Sequence, residues 1–568
     1  MKTKFYAVVV FAAFLLCFAA SGNAQTVTVF AGSSGAFQSF AVASQTAGAP
    51  CGGAPNTWSQ GSTALNGMQD ANGSPLESGS IYIGYDGAAT GVGTTHYCVY
   101  VSVDSVVGNR LYFSTGPGGT RSTLQLGGGL AAGGKVPLVP DTVNPLPAAV
   151  ATFLTGQQIT AGVTDIRPED ALWTTIRVRN GLGWGNNPIC SAFTATGAQT
   201  INYTIEGNDP ISGVAVPAYS TINVGAYPVV VFYNKTGVGA KDLGTLLPTD
   251  INSHNIAAIW GGLGAQTTDL GHFAAGTYNV GGGPIAVGGS GAPLTVLVRE
   301  PISGTYNTFE WQAVHNQGTI QTQEAIFPAP AAHACSPFVA PVSPSGNPSY
   351  IQTGGAHDSV ATYARVIGTG EMVKQAGLNK NAVGYAFWTF SSFAGTAATL
   401  NYLTVDGVDP LQTAPTGGAF PQCAAGPPVV CPVLPLTGVV NGDYRIWNII
   451  RVISPTTGAA ATNVANFVTA AQNQTVAPTV HPVTDFVPFV ANGQQYLSVF
   501  RSHYAAPTGV AQVCTATTNI NDQVNGPVQA GLIGCPEGGG DMAGAVFTWG
   551  QDIDTYLTTG EEILNFVQ

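Results

Sequence analysis

Charge is scarce in this sequence: Asp, Glu, Lys and Arg together make up only 8% of its 568 residues. So low a share is unusual for a cytosolic domain and common in exported β-rich proteins. Basic residues are scarcer still, leaving a formal net charge of −12. That balance argues against nucleic acid and anionic membranes as partners. A local anion site is not excluded, because clustered backbone amides bind anions inside acidic proteins. Close Cys/His clusters with zinc spacing are missing, so neither a metal site nor any other cofactor is expected. No P-loop and no Gly-x-Ser-x-Gly elbow occurs, and Gly288-Gly289-Ser290-Gly291 has the wrong spacing. The eight histidines are dispersed. Beyond the N-terminus the apolar runs are short and broken by Gly or Pro, so no membrane span is expected.

What is present begins with residues 1–24, which read as a secretory signal. Lys2 and Lys4 precede the apolar run Tyr6–Ala20, and Gly22-Asn23-Ala24 offers small residues for cleavage near Ala24. Leu16 precedes Cys17 where a lipid-anchor signal needs a small residue, so an exported, periplasmic or extracellular chain is expected. Losing two lysines with the signal takes the net charge from −12 to −14. The remaining eight cysteines form an even set in an exported chain, which suggests disulfides. Cys423 and Cys431 flank a Pro-rich loop and are the expected pair. The connectivity of the others is not legible.

Apolar patterning predicts a strand at Thr26–Phe30 with a helix following through Ser44, strands at Tyr97–Val107 and Arg110–Ser114, and a strand at Val224–Tyr233. Leu243–Trp260 reads as largely helical, Leu294–Val298 and Ala382–Phe390 as strands, and Tyr444–Ile453 as strand or helix. Pro168 with Glu169 and Asp170 opens a helix that Asn180-Gly181 closes, over about 168–180. Alternating strands and helices in the middle of the chain predict an α/β core. The Gly/Pro/Thr-rich stretches 38–95, 182–222, 391–440 and 505–545 read as β-rich insertions. Ile201–Pro210 and Leu400–Pro410 form a weak strand-turn repeat.

The most informative stretch is Val296–Phe309. Arg299 ends an apolar strand, and Ser303, Gly304 and Thr305 open a helix four residues later. Ser303 is a good N-cap, the first helical amides lack intrahelical partners, and Gly304 allows close approach to the backbone. The helix dipole and the fork of Arg299 both favour an oxyanion there. The plain alternative is a capped helix with Arg299 in a surface ion pair. For Asp165 the plain alternative is a cap or a partner of Arg167. For Ser33 and Ser34 it is turn chemistry.

Five segments in order resemble the phosphate-type substrate-binding proteins of bacterial ABC importers. They are Val29–Phe37, Ile159–Pro168, Ala226–Asn234, Val298–Thr305 and Asn381–Tyr385. The resemblance implies the two-lobed type II periplasmic binding protein fold, here with large β-rich, Gly/Thr-rich insertions. Lobe one would comprise 25–225 and 384–568, and lobe two 226–383. The resemblance further implies an anion site made by Arg299, the hydroxyls of Ser303 and Thr305, the amides of Gly304 and Thr305, and donors from Ser33 and Ser34. Asp165 would accept a hydrogen bond from the proton that phosphate carries and sulfate lacks. Where the family has an acidic residue two positions after the arginine, this chain has Pro301. The family's second Gly/Ser loop would correspond to Ser114–Thr120, with no ligand serine assignable there. The implied function is non-enzymatic capture of inorganic phosphate or a similar oxyanion, as a monomer, for the membrane subunits of an importer. A structural surface protein on the same scaffold and a secreted hydrolase are the competing classes.

Overall fold

The computed structural model of the protein describes residues 25–46, 48–53, 55–61, 79–113, 123–127, 130–165, 219–236, 249–260, 295–299, 303–314, 350–353, 362–366, 368–379, 382–424, 429–475, 484–497, 499–501 and 546–548. The expected signal, the helix at 168–180, the loop Ser114–Thr120 and the repeat member at 201–210 lie outside these residues.

Among the described residues, one 15-stranded sheet organises the chain. Its strands are β1 (Thr26–Ser33), β2 (Asn56–Gly61), β3 (Ser80–Tyr85), β4 (His96–Val103), β5 (Ala161–Thr164), β6 (Ser220–Asn234), β7 (Asp250–Ile251), β8 (Thr295–Arg299), β9 (Tyr350–Thr353), β10 (Thr362–Val366), β11 (Ala382–Phe387), β12 (Leu400–Val405), β13 (Gly418–Ala419), β14 (Trp447–Ser454) and β15 (Val487–Pro488). The main order is β2-β3-β4-β1-β5-β14-β6-β11-β8-β10-β9. The helices are α1 (Phe37–Ala43), α2 (Ser105–Phe113), α3 (Ala148–Leu154), α4 (Ser253–Trp260), α5 (Gly304–Phe309), α6 (Thr369–Leu378), α7 (Thr437–Asn441) and α8 (Gly458–Asn473). The α/β class expected from the sequence is what forms.

β6 divides the sheet. Its Ser220–Pro228 stretch pairs antiparallel with β14, and its Val229–Tyr233 stretch pairs antiparallel with β11. The change falls at Pro228, which has no amide to give to a ladder. Its carbonyl accepts from the Trp388 amide at 2.9 Å, and the Val229 amide donates to Ile446 O at 2.7 Å. β12 joins the β11 side, pairing with Leu403↔Val231 through Leu400↔Asn234. On the β14 side, β4 and β5 run parallel to β1. On the β11 side, β10 and β11 run parallel to β8.

Alternation on β1, β3 and β4 sends apolar side chains to both faces. Phe30, Tyr82 and Tyr100 join one cluster, with Phe40 of α1 and Phe467 of α8. Val29, Ile81, Ile83, Val99 and Val101 join the other, with Leu111 of α2 and Leu154 of α3. Burial on both faces is what the parallel pair β1 and β4 requires. Phe467 meets Phe30 at a ring distance of 4.8 Å and Phe40 at 5.5 Å, locking α8 across α1 and β1.

Two expectations need correction. The strands predicted over Tyr97–Val107 and Arg110–Ser114 are one strand ending at Val103 and then helix α2. Asp104 O accepts from the Gly108 amide at 2.7 Å, closing the first turn. Gly108 also lets the helix touch β1, since a Cβ there would lie 2.3 Å from Gly32 Cα. Tertiary contact thus overrides the β-branched run Val106-Val107. Of the expected helix at Leu243–Trp260 only 249–260 are described; there Ser253–Trp260 is helix, and Asp250–Ile251 is a strand paired with β12. The strand-or-helix ambiguity at Tyr444–Ile453 resolves to strand, because β14 fills the gap between β5 and β6.

Candidate functional site

Two sets of parallel strands, β1, β4 and β5 on one side and β8 and β10 on the other, run in opposite directions along the sheet and end at one place. Ser34 follows β1, Asp104 and Ser105 follow β4, and Asp165 follows β5, all from the β14 side of the sheet. Arg299 ends β8, and Thr369 opens α6 after β10, from the β11 side. Ligands of open α/β sheets lie beyond the carboxyl ends of strands, where helix N-termini and loop donors converge.

Arg299 is fully buried. Its guanidinium spans both sides of the sheet. Nη2 donates to Asp104 Oδ1 at 2.9 Å, and Nη1 donates to Thr369 Oγ1 at 2.8 Å and Thr305 Oγ1 at 3.4 Å. Its ion pair is therefore buried, not the surface pair of the plain alternative. A buried guanidinium needs such partners, because an uncompensated charge in the interior costs several kcal/mol. The Arg299 amide donates to Tyr385 Oη at 3.1 Å. Tyr385 stacks on Phe309 at 3.8 Å, and Trp260 closes against Phe309 edge-on. These aromatics fix the backbone from which the guanidinium projects.

Asp165 is the second buried charge. Ser105 Oγ donates to its Oδ1, and Thr308 Oγ1 donates to its Oδ2 at 3.3 Å. Burial pushes its carboxyl up to about 6, against the lowering effect of these bonds and of Arg299. Its backbone carbonyl accepts from Asn448 Nδ2 at 2.6 Å. The α5 start packs directly on the carboxylate: a Cβ on Gly304 would lie 1.6 Å from Asp165 Oδ1. Only glycine fits there.

Ser303, Gly304 and Thr305 are buried together at the start of α5. The Tyr306 amide donates to Ser303 Oγ at 3.4 Å, the N-cap arrangement expected from the sequence. Ser34 Oγ and Thr369 Oγ1 share a hydrogen bond of 2.8 Å across the sheet division. Ser33 is buried at the end of β1, and its carbonyl accepts from Tyr100 Oη at 2.5 Å. Of the seven residues singled out by sequence, six (Ser34, Asp165, Arg299, Ser303, Gly304 and Thr305) are in or beside this network. Ser33 contributes its backbone to the wall behind them.

Four members were not legible. Asp104 and Ser105 sit where the alternating apolar pattern reads on as strand. Their signal was an Asp-Ser pair followed by a glycine three residues on, a helix start hidden by Val106 and Val107. Thr308 lies one turn into α5. Thr369 follows Gly368, whose positive φ of 82° turns the chain into α6. Among the described residues, no cluster of three or more His, Cys, Asp or Glu side chains is arranged to hold a metal.

No protein family and no curated relative matches the sequence. Solved structures that align in part with this chain include an ABC-type phosphate transport receptor from Vibrio cholerae, at 11% identity and a TM-score of 0.21, covering 44% of this chain and 66% of the other. A phosphate-binding protein from Stenotrophomonas maltophilia aligns at 14% identity and a TM-score of 0.27, over 60% and 74% of the two chains. A human phosphate-binding apolipoprotein aligns at 13% identity and a TM-score of 0.28, over 59% and 78%.

Proposed function

We propose that this protein captures phosphate or a related tetrahedral oxyanion where the two sides of its sheet meet, without chemical turnover. One observation carries the reading: a fully buried guanidinium, Arg299, ringed by hydroxyls and carboxylates that come from both sides. Ser34, Ser105, Thr305, Thr308 and Thr369 are donors for oxyanion oxygens, and the start of α5 adds backbone amides. Asp165 accepts a hydrogen bond from the P–OH of hydrogen phosphate and repels fully ionised sulfate. Parting and closing of the two sides around the ligand would present a closed form to a membrane importer. Disulfides Cys51–Cys98 and Cys423–Cys431 suit an oxidising compartment and hence an exported protein.

The test is calorimetric titration of the phosphate-stripped chain with phosphate and with sulfate. Phosphate binding that is lost in Arg299→Ala, with the fold retained by circular dichroism, is the expected result. Binding of sulfate as tightly as phosphate would discard the role of Asp165. Binding of neither would leave a second reading, a surface protein on this scaffold. The low charge and the long Gly/Thr-rich insertions favour that alternative.

A further inference from the structure

We infer that Asp104 is an internal substitute for the oxyanion at Arg299, and that it sets the site's affinity and charge preference by competing with the ligand. This rests on the oxyanion reading above. Asp104 is 6% exposed, and its Oδ1 accepts from Arg299 Nη2 at 2.9 Å. A carboxylate and one edge of a phosphate present the same pair of oxygens to a guanidinium fork. The fork cannot give the same N–H fully to both.

The origin of this carboxylate sets it apart from an ordinary partner of a binding-site arginine. Arg299 ends β8 on one side of the sheet division, whereas Asp104 follows β4 on the other. Position 301, two residues past the arginine on its own side, is proline and has no charge to offer. The pair therefore exists only while the two sides are together. Thr369 Oγ1, which accepts from Arg299, is also tied across the division to Ser34. An incoming anion meets a guanidinium already neutralised and a second carboxylate, Asp165, close by. Its binding free energy is reduced by the cost of displacing or repelling Asp104. The site is set to take an anion that carries hydroxyl protons for these carboxylates, as hydrogen phosphate does, and to exclude one without them.

The experiment compares phosphate titrations of the stripped wild-type chain and of Asp104→Asn. The amide keeps the shape and can still accept from Nη2, but it removes the competing charge. The expected result is phosphate bound at least about tenfold more tightly by D104N, with sulfate binding raised but still weaker than phosphate binding because Asp165 remains. Equal or weaker phosphate binding in D104N overturns the inference while leaving the oxyanion reading intact, since Asp104 would then be orienting Arg299 for the ligand. If neither protein binds phosphate, the oxyanion reading fails and the inference with it. Should D104N aggregate in phosphate-free buffer, purification in phosphate decides. Folding only with phosphate present supports substitution of ligand for carboxylate, and aggregation in both buffers overturns it.

Discussion

Asp165 and Asp485 are both buried carboxylates held by hydroxyl, amide and backbone donors. Asp485 accepts from Gln38 Nε2 and from the Phe390 amide, each at 2.9 Å. Burial pushes it up to about 7, and Asp165 up to about 6, from an ordinary 3.8. A carboxyl raised in the folded state binds its proton more tightly there than in the unfolded chain. Its contribution to stability is fully present below about 4 and is lost as pH rises through 6 to 7. The midpoint of chemical denaturation is therefore expected to rise as pH is lowered from 8 to 5. Asp485→Asn should flatten the upper part of that profile, by an amount on the order of 3 kcal/mol. A pH dependence unchanged in Asp485→Asn would show that this carboxyl is not the titrating group. The residue scale was only partly legible in sequence. Arg299, Ser303 and Gly304 stood out because local chemistry alone makes a strand-arginine and a capped helix start. Asp104 and Thr369 did not, because their role depends on residues nearly 200 and 70 positions away, respectively.

At the scale of elements, the β4–β1–β5 unit holds half of the site. β1 and β4 are parallel in register from Thr26↔His96 to Ser33↔Val103, so Ser34 and Asp104 emerge side by side. Cys98 in β4 is bonded to Cys51, 47 residues earlier, which anchors the segment after α1 to the strand. Closing a loop of that length in the unfolded chain corresponds to about 4 kcal/mol in the chain-entropy account. Replacing both cysteines with serine is expected to lower the denaturation free energy by up to about that amount. Local displacement of β4 should also weaken phosphate binding through Asp104 and Ser105. A stability loss without any change in binding would mean that β4 is positioned by its sheet neighbours alone. The pair Cys423–Cys431 was readable from its separation of 8 positions across a short loop, and Cys51–Cys98 was not. Strands β6 and β8 were readable as apolar runs, and β14 was readable only as strand or helix. The strand-to-helix change at Asp104 was missed because Val, Tyr and Leu fit either element once buried.

At the scale of the whole molecule, β6 makes one body of two sheet systems. The core cluster running from Phe30 through Val231 to Tyr385 is continuous across the division. Such continuity favours a single cooperative unfolding transition. Phosphate at about 100 times its Kd should then raise the stability of the whole chain by about 2.7 kcal/mol, shifting one transition rather than one of two. Two separable transitions, only one of them sensitive to phosphate, would show that β6 does not couple the sides.

Local chemistry in the sequence accounts for the α/β class, the strand that ends in Arg299, the glycine-opened helix beside it and the expectation of an anion. Each follows from chemistry within a dozen residues, where periodicity, capping and side-chain type act. Only the tertiary structure decided what meets Arg299. The parallel register of β1, β4 and β5 and the crossing of β6 bring Asp104, Asp165 and Thr369 to one point from distant parts of the chain. A buried charge is stabilised by whatever the fold carries to it, and that partner is written in no single stretch of sequence.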